Sequence, residues 1–209
     1  MVTFEIDSKK TALLVFDMIN DFIKPGFPRE NAAVREVLLP KLKKLIEHCR
    51  SKSIPIIYVV HTHRKNGSDM GIIAELIPGV KDGKSFVRGS EGVEVYDEIR
   101  PQEQDILVEK HRYSAFRGSD LDVILRGMGL DTVIVTGHST NIGGETTARH
   151  AADLDYKVVF PSDGTIARDL PDMGWGPISK EDIQRVVLST LAYRFAMVLP
   201  IDELILKLQ

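Results

Sequence analysis

The chain has 209 residues, of which 43% are hydrophobic, and its 27 basic and 30 acidic residues give a formal charge of -3. This length and composition are enough to bury one substantial core, so we expect a single domain over residues 1–209. The absence of a basic stripe argues against nucleic acid as a partner, and apolar runs far shorter than the roughly 20 residues of a membrane span argue against a membrane.

The N-terminal segment and the cysteine content bear on the cellular compartment. The segment MVTFEIDSKK lacks the apolar core of a signal peptide, and the only cysteine, Cys49, can form no internal disulfide. Both features favour a cytoplasmic location.

Short β-branched runs alternate with longer segments of helical period. The runs that predict strands are TALLVFD (11–17), PIIYVVH (55–61), DILVEK (105–110), DTVIVTG (131–137), YKVVF (156–160) and AMVLP near Ala196. An apolar stripe predicts one helix through Val34, Val37, Leu38, Leu42, Leu45, Ile46 and Cys49, and similar periods predict helices over 121–128, 146–154 and 183–195. This order predicts an α/β fold, a three-layer αβα sandwich with a mainly parallel, six-stranded, Rossmann-like sheet.

The residues that end the predicted strands are the first candidates for a site, because ligands of parallel sheets bind outside the carboxyl ends of the strands. The first four strands end at Asp17, His61, Lys110 and Gly137. A single charged residue at such a position is commonly a solvated or capping group. Asp17 follows an apolar strand, where a buried carboxylate needs a partner, so we expect Asp17 and Lys110 to face one pocket.

Three segments carry a resemblance to a known family. LLVFDMINDF, VEKHRYSAF and VIVTGHSTNIGGETTARHAADLDYKVVF resemble, in order and spacing, the signature blocks of the isochorismatase-like hydrolase superfamily. For amide-cleaving members the resemblance implies an aspartate, a lysine and a nucleophilic cysteine at the positions of Asp17, Lys110 and Gly143. It also implies a cis peptide bond between His138 and Ser139.

Glycine at position 143 removes the nucleophile. A thiolate at a helix start is favoured by the N–H groups and the helix dipole, whereas Gly143 offers only backbone N–H groups. No other residue replaces the cysteine convincingly. Cys49 lies on an apolar stripe, Ser139 and Thr140 are typical helix caps, and His138 is more typical of a hydrogen-bonded side chain than of a base.

The isochorismatases proper need no cysteine, and this chain resembles them in Gly143 and in RYSAF from Arg112 to Phe116. That resemblance implies Asp17 as the acid that protonates a vinyl ether, with Lys110 orienting it and Arg112 holding a substrate carboxylate. Ser139 and Asn141 stand where isochorismatases usually carry an aromatic residue and a histidine. The residues expected to bind substrate are Phe22, His61, Arg88, Arg112, Tyr113, Ser139 and Thr140.

No metal or other cofactor is expected. His61 and His63 lie two apart on one side of a strand, but two histidines without an aspartate just before them supply too few ligands for a closed zinc site. We expect them to line the crevice. The segment DLPDMGWGPISKED, which holds Trp175, is typical of a lid or binding loop, or of an oligomer contact.

Three functions stay open at this point. The chain is a hydrolase of a small polar or carboxylate-bearing metabolite that uses no cysteine, a binding protein that kept the pocket and lost the chemistry, or an amidohydrolase variant whose parent carries cysteine in place of Gly143. The resemblance also implies a homodimer or a homotetramer, because many members of the superfamily assemble in this way.

Overall fold

A computed structural model describes residues 1–209 and contains one sheet of seven strands. The strands are β1 (Thr11–Phe16), β2 (Ile56–His61), β3 (Ile106–Lys110), β4 (Thr132–His138), β5 (Lys157–Pro161), β6 (Thr165–Ile166) and β7 (Met197–Leu199). Their order is β3-β2-β1-β4-β5-β7, and β6 pairs with the end of β4. All pairings are parallel.

Seven α-helices connect the strands and cover both faces of the sheet. They are α1 (Asn20–Ile23), α2 (Leu39–Ser51), α3 (Ile73–Leu76), α4 (Leu121–Gly127), α5 (Glu145–Asp153), α6 (Lys180–Arg194) and α7 (Ile201–Lys207). Helices α2 and α7 pack on one face, and α4, α5 and α6 pack on the other. The predicted three-layer α/β fold with a mainly parallel sheet is confirmed. The sheet has seven strands rather than six because β6, with two residues, is too short to show a periodic pattern.

The core forms because the central strands are apolar on both faces. Every residue of β1, β2 and β4 is buried. Successive side chains point to opposite faces, so that Leu13 and Val15 join one core while Leu14 and Phe16 join the other. Edge strand β3 is only half-buried, with Leu107 56% exposed.

The helices differ from the predicted ones mainly at their starts. The run predicted through Val34 begins with a π-helical turn over Val34–Leu38, and the prediction that Val37 belongs to the buried stripe is wrong, because the stripe passes through Val34 and Leu38 and leaves Val37 53% exposed. A second π-helical turn, Thr140–Gly144, precedes α5. Helix α6 starts at Lys180, where the Ser179 side chain accepts a hydrogen bond from the Asp182 N–H. No helix has both the length and the apolar character needed to cross a membrane.

Two unusual backbone conformations shape the carboxyl edge of the sheet. Gly137 has a φ of 130°, and a Cβ atom there would lie 2.0 Å from the Phe16 carbonyl oxygen, so β1 and β4 can pair this closely only with glycine. Asp17 has a φ of 51°, which aspartate tolerates better than most residues, and its N–H donates to the Val59 carbonyl over 2.8 Å. The chain therefore turns sharply just after β1, at the edge where ligands of parallel sheets bind.

Candidate active site

A cavity of about 330 Å³ opens at the carboxyl ends of the central strands. Its volume is at the lower end for ligand pockets, which fits a small metabolite. The structure brings together, along its wall, these residues predicted from the sequence: Asp17, Phe22, His61, Lys110, Tyr113, Ser139 and Gly143.

Asp17 and Lys110 form a buried ion pair in this cavity. The Asp17 Oδ2 and Lys110 Nζ atoms are 2.7 Å apart, and the two residues are 5% and 1% exposed. Asp17 Oδ1 accepts a hydrogen bond from the His61 N–H over 2.9 Å, and Lys110 Nζ donates to the Arg112 carbonyl over 3.3 Å. Strand β2 lies between β1 and β3 with His61 paired to Lys110, so the sheet register fixes both partners.

Burial dominates the ionisation of Asp17. Loss of hydration raises the pKa of its carboxyl above 3.8, against the opposing effects of the Lys110 ammonium and the two hydrogen bonds. Burial and the Lys110 charge also hold the pKa of His61 well below its usual range, so His61 is neutral.

The turn after β4 forms the wall beside this pair. The peptide bond between His138 and Ser139 is cis, and Ser139 precedes the π-helical turn that contains Gly143. A Cβ atom on Gly143 would lie 3.3 Å from Phe16 Cε2, 3.5 Å from Phe16 Cδ2 and 3.6 Å from the Tyr113 carbonyl oxygen. A small side chain would therefore be tight but not blocked, and glycine leaves this part of the wall without a nucleophile.

Aromatic rings form a continuous wall of the cavity. Their centroids are 4.8 Å apart for His138 and Phe22, 5.5 Å for Phe22 and Phe86, and 4.7 Å for Phe86 and His61. The rings of Phe86 and His61 are stacked with an interplanar angle of 10°. We call these four residues the ring wall. It offers a flat, largely apolar surface next to the Asp17–Lys110 pair.

Phe86 depends on a buried carboxylate for its position. Its φ of 57° is strained for a residue with a bulky side chain, and its N–H donates to Asp21 Oδ2 over 2.8 Å. Burial raises the pKa of Asp21, which is 3% exposed. Gly92 packs against the same carboxylate, since a Cβ there would lie 2.3 Å from Asp21 Oδ1.

Two arginines of the cavity were missed by the sequence analysis. Arg29, from the loop after α1, lies with its guanidinium 5.3 Å from the centroid of the Phe86 ring, and Arg168 follows β6 at the more exposed mouth. Arg29 donates to the Pro78 carbonyl over 3.3 Å, and Arg168 donates to the Arg29 carbonyl. Both arginines come from irregular segments, which show no pattern that would have marked them.

Three residues predicted to bind substrate, Arg88, Arg112 and Thr140, do not line the cavity. The Arg88 guanidinium pairs with Glu109. Arg112 donates to the carbonyls of Asp69 over 2.9 Å and His111 over 2.5 Å, which turns it away from the position expected for a carboxylate binder. The Thr140 hydroxyl donates to Gln184 Oε1 over 2.7 Å and lies 2.8 Å from the Thr165 hydroxyl, which can donate to it.

One cluster has the donors to hold a metal ion. Ligand atoms of His63, Asp69 and His111 lie within 4.8 Å of one another, and two nitrogens with one carboxylate oxygen suit a divalent transition metal. The cluster lies behind His61, whose Nε2 is 3.0 Å from His63 Nε2, and none of its members lines the cavity. The sequence pattern marks His63 as a possible ligand but not Asp69 or His111, which reach it from other segments.

The segment that holds Trp175 extends from the mouth of the cavity. Arg168, Asp169 and Leu170 line the cavity, and Leu170 pairs with Ile178 across the loop. At the tip, Asp172 accepts hydrogen bonds from the N–H groups of Gly174 and Gly176 over 2.7 Å and 2.9 Å. Trp175 is 93% exposed, so its side chain packs against nothing in the monomer.

The sequence and the fold are similar to those of known proteins. The sequence profile of the isochorismatase domain matches residues 11–203. Nicotinamidase 3 of Arabidopsis thaliana is 32% identical over 200 residues, covering 95% of this chain and 88% of the relative. A ureidoacrylate amidohydrolase of Caulobacter vibrioides is 31% identical, covering 77% of this chain and 78% of the relative. The crystal structure of a cysteine hydrolase from Pseudomonas syringae pv. phaseolicola superposes with a TM-score of 0.94 at 36% identity, over 99% of this chain and 96% of that one.

Proposed function

Because the chain belongs to the isochorismatase family, we propose that it hydrolyses a small polar or carboxylate-bearing metabolite without a cysteine nucleophile, with Asp17 as the general acid. The observation that carries this proposal is the buried Asp17–Lys110 pair, 2.7 Å apart in a cavity where Gly143 stands at the nucleophile position. An acid–base group with no adjacent nucleophile favours a reaction in which water attacks.

Hydrolysis of a vinyl ether needs only a proton donor and water, which fits a site with Asp17 and no nucleophilic side chain at position 143. The Asp17 carboxyl transfers its proton to the terminal carbon of the C=C–O unit, and the electron pair of the double bond forms the new C–H bond. The resulting oxocarbenium ion accepts water, and the proton that the water loses returns to Asp17. The hemiketal then breaks its C–O bond to give an alcohol and a carbonyl compound.

The surroundings of Asp17 serve both halves of this cycle. Burial raises its pKa, which keeps more of the carboxyl protonated before proton transfer. The Lys110 ammonium stabilises the carboxylate formed afterwards. The His61 N–H holds the same carboxylate in one orientation.

The test is a hydrolysis screen over vinyl ethers, amides and ureido acids. For a substrate that is turned over, Asp17→Asn is expected to lower kcat by about 100- to 10,000-fold, the usual contribution of a positioned acid–base group. Asp202→Asn is the matched control, because Asp202 and Lys44 form an exposed pair with the same separation of 2.7 Å. Unchanged turnover by Asp17→Asn would remove Asp17 from the mechanism.

Stability has to be measured alongside activity. Asp17→Asn leaves the Lys110 ammonium buried without its partner, which costs about 3–5 kcal/mol. The double variant Asp17→Asn, Lys110→Met removes both charges and is expected to regain most of that stability while remaining inactive. If the double variant recovers turnover, the loss in the single variant reflects unfolding rather than chemistry.

A binding protein without turnover is the second candidate, and the absence of a side chain at Gly143 is the observation that favours it. Such a protein would bind a small ligand in the cavity and hydrolyse no member of the screen. The third candidate, an amidohydrolase variant whose parent has cysteine at this position, agrees with the space around the Gly143 Cβ position. It is tested by Gly143→Cys, which would then gain amidase activity.

A further inference from the structure

One end of the cavity holds two arginines, Arg29 and Arg168, that form no salt bridge. Asp17 and Lys110 compensate each other, but neither Arg29 nor Arg168 forms a salt bridge, and their hydrogen bonds go to the carbonyls of Pro78 and Arg29. The Arg29 Nε is buried without any hydrogen-bond partner. Partial burial lowers the pKa of both guanidiniums. The Asp21 carboxylate and Tyr113 partly oppose this effect at Arg29, whereas the charge of Arg29 lowers the pKa of Arg168 further. Two cations close to each other without a salt-bridge partner, one of them with an unused donor, favour the binding of an anion.

His138 adds an unused polar atom at the same end. It is 4% exposed, and its Nδ1 atom is buried without a hydrogen-bond partner. Burial, together with the charges of Arg168 and Arg29, lowers the pKa of His138 to about 3 against the opposing effect of a backbone hydrogen bond with Ile166, so the ring is neutral. Buried polar groups of proteins are nearly always paired, which makes His138 Nδ1 a position for a ligand atom.

This cationic end is distinct from the acid–base pair. Arg29 and Arg168 act on the pKa of His138, whereas the pKa of Asp17 is set by burial, Lys110 and His61. The ring wall connects the two regions, because it runs from His138 through Phe22 and Phe86 to His61. A flat ligand along this wall would reach both.

We propose that Arg29, Arg168 and His138 form a carboxylate-binding subsite, and that the substrate is a small organic anion whose planar or apolar part lies along the ring wall. The two guanidiniums supply charged donors to the carboxylate, and His138 supplies a neutral one through Nδ1–H. That the bound anion is a substrate, rather than only a ligand, rests on the proposed function. It separates this chain from a protein that selects a neutral amide, because a neutral group would leave both guanidiniums unpaired.

Benzoate and benzamide are matched probes for this subsite, since they have the same size and flat ring and differ in the charge of one group. Isothermal titration of the full chain is expected to show 1:1 binding of benzoate, at least about tenfold tighter than binding of benzamide. Arg29→Gln and Arg168→Gln are each expected to lose most of that preference. Arg126→Gln is the matched control, because Arg126 lies 5.3 Å from the Tyr156 ring, as Arg29 does from Phe86, but on the surface.

The proposal is overturned if benzoate shows no saturable binding at millimolar concentration, or if it binds no tighter than benzamide. It is also overturned if the preference survives in the double variant Arg29→Gln, Arg168→Gln and is lost in Lys110→Met, because the carboxylate would then sit at Lys110. Circular dichroism and thermal melts confirm that each variant is folded.

The binding test needs no turnover. If the screen shows no hydrolysis but the protein still prefers benzoate, the proposed function is wrong and the carboxylate-binding subsite is supported. If the unaltered protein shows no preference for benzoate over benzamide, the subsite proposal is wrong even if the protein is an active hydrolase.

Discussion

Replacing Gly143 by cysteine tests the idea that this turn is a nucleophile site without its nucleophile. Gly143 has an ordinary backbone conformation, so a side chain meets no φ strain there. The new Cβ would press on the Phe16 ring at 3.3 Å, so the ring would have to shift by a few tenths of an ångström. We expect Gly143→Cys to fold with a loss of about 1 kcal/mol in the free energy of unfolding.

The contrast with the natural cysteine sets the magnitude. Cys49 is 0% exposed, and burial raises its pKa to about 12. An ordinary accessible thiol has a pKa of about 8.5, so at pH 7.5 its thiolate fraction exceeds that of Cys49 by on the order of 1,000-fold. Position 143 lines the cavity, so the reagent also reaches a thiol there more easily than it reaches Cys49, which increases the difference in labelling rate further.

The assay is alkylation of the folded protein by iodoacetamide, followed at each cysteine by peptide mass spectrometry. Ile142→Cys provides a reference, because Ile142 is 42% exposed on the same turn. If the thiol at position 143 labels no faster than Cys49, the turn is not a nucleophile site. If alkylation of Cys49 in the unaltered protein abolishes turnover without unfolding it, the cysteine-independent mechanism is wrong.

Four further measurements test the site and the assembly. Because burial raises the pKa of Asp17, turnover that needs the protonated acid should be retained at low pH and lost as pH rises through that raised value, and an inflection at or below 3.8 would contradict this. Because burial lowers the pKa of His138 to about 3 from the usual 6.5, the unfolded chain binds a proton at this residue below pH 6.5 while the folded protein does not; denaturant melts should therefore show a loss of about 2 kcal/mol between pH 7 and pH 5 from this residue, and a smaller loss in His138→Asn. Dialysis against a chelator should leave turnover unchanged, because none of the donors His63, Asp69 and His111 lines the cavity; its loss, restored by a divalent metal, would contradict this. Sedimentation velocity at micromolar concentration should show a homodimer or homotetramer, and only a 23.4 kDa species would count against it.

The Asp17–Lys110 pair could be predicted from the sequence because it depends only on which strands lie next to each other in the sheet. Each residue ends an apolar run, and parallel strands bring their carboxyl ends to one edge. The pair forms across the intervening strand β2, as the observed register requires. The short helices α1 and α3, with four residues each, could not be predicted, since four residues show no helical period.

The other half of the cavity could not be predicted because it is built from loops. Arg29 and Phe86 meet only after two irregular segments fold over the sheet, and the bond from Phe86 N–H to Asp21 joins residues 65 positions apart. Arg112 is the converse case, a residue that the sequence places near the cavity but whose side chain lies elsewhere. It directly precedes Tyr113, which lines the cavity, but the carbonyls of Asp69 and His111 bind its guanidinium elsewhere.

Trp175 gives the protein a built-in optical probe. It is the only tryptophan, it is 93% exposed, and it lies on the loop whose base contributes Arg168 to the cavity. Fluorescence excited selectively at tryptophan therefore comes from one position near the tip of this loop. A shift of its emission to shorter wavelength would report that this loop has become covered. A shift that depends on protein concentration would indicate contact with another subunit, and a shift that saturates with added ligand would indicate closure over the cavity.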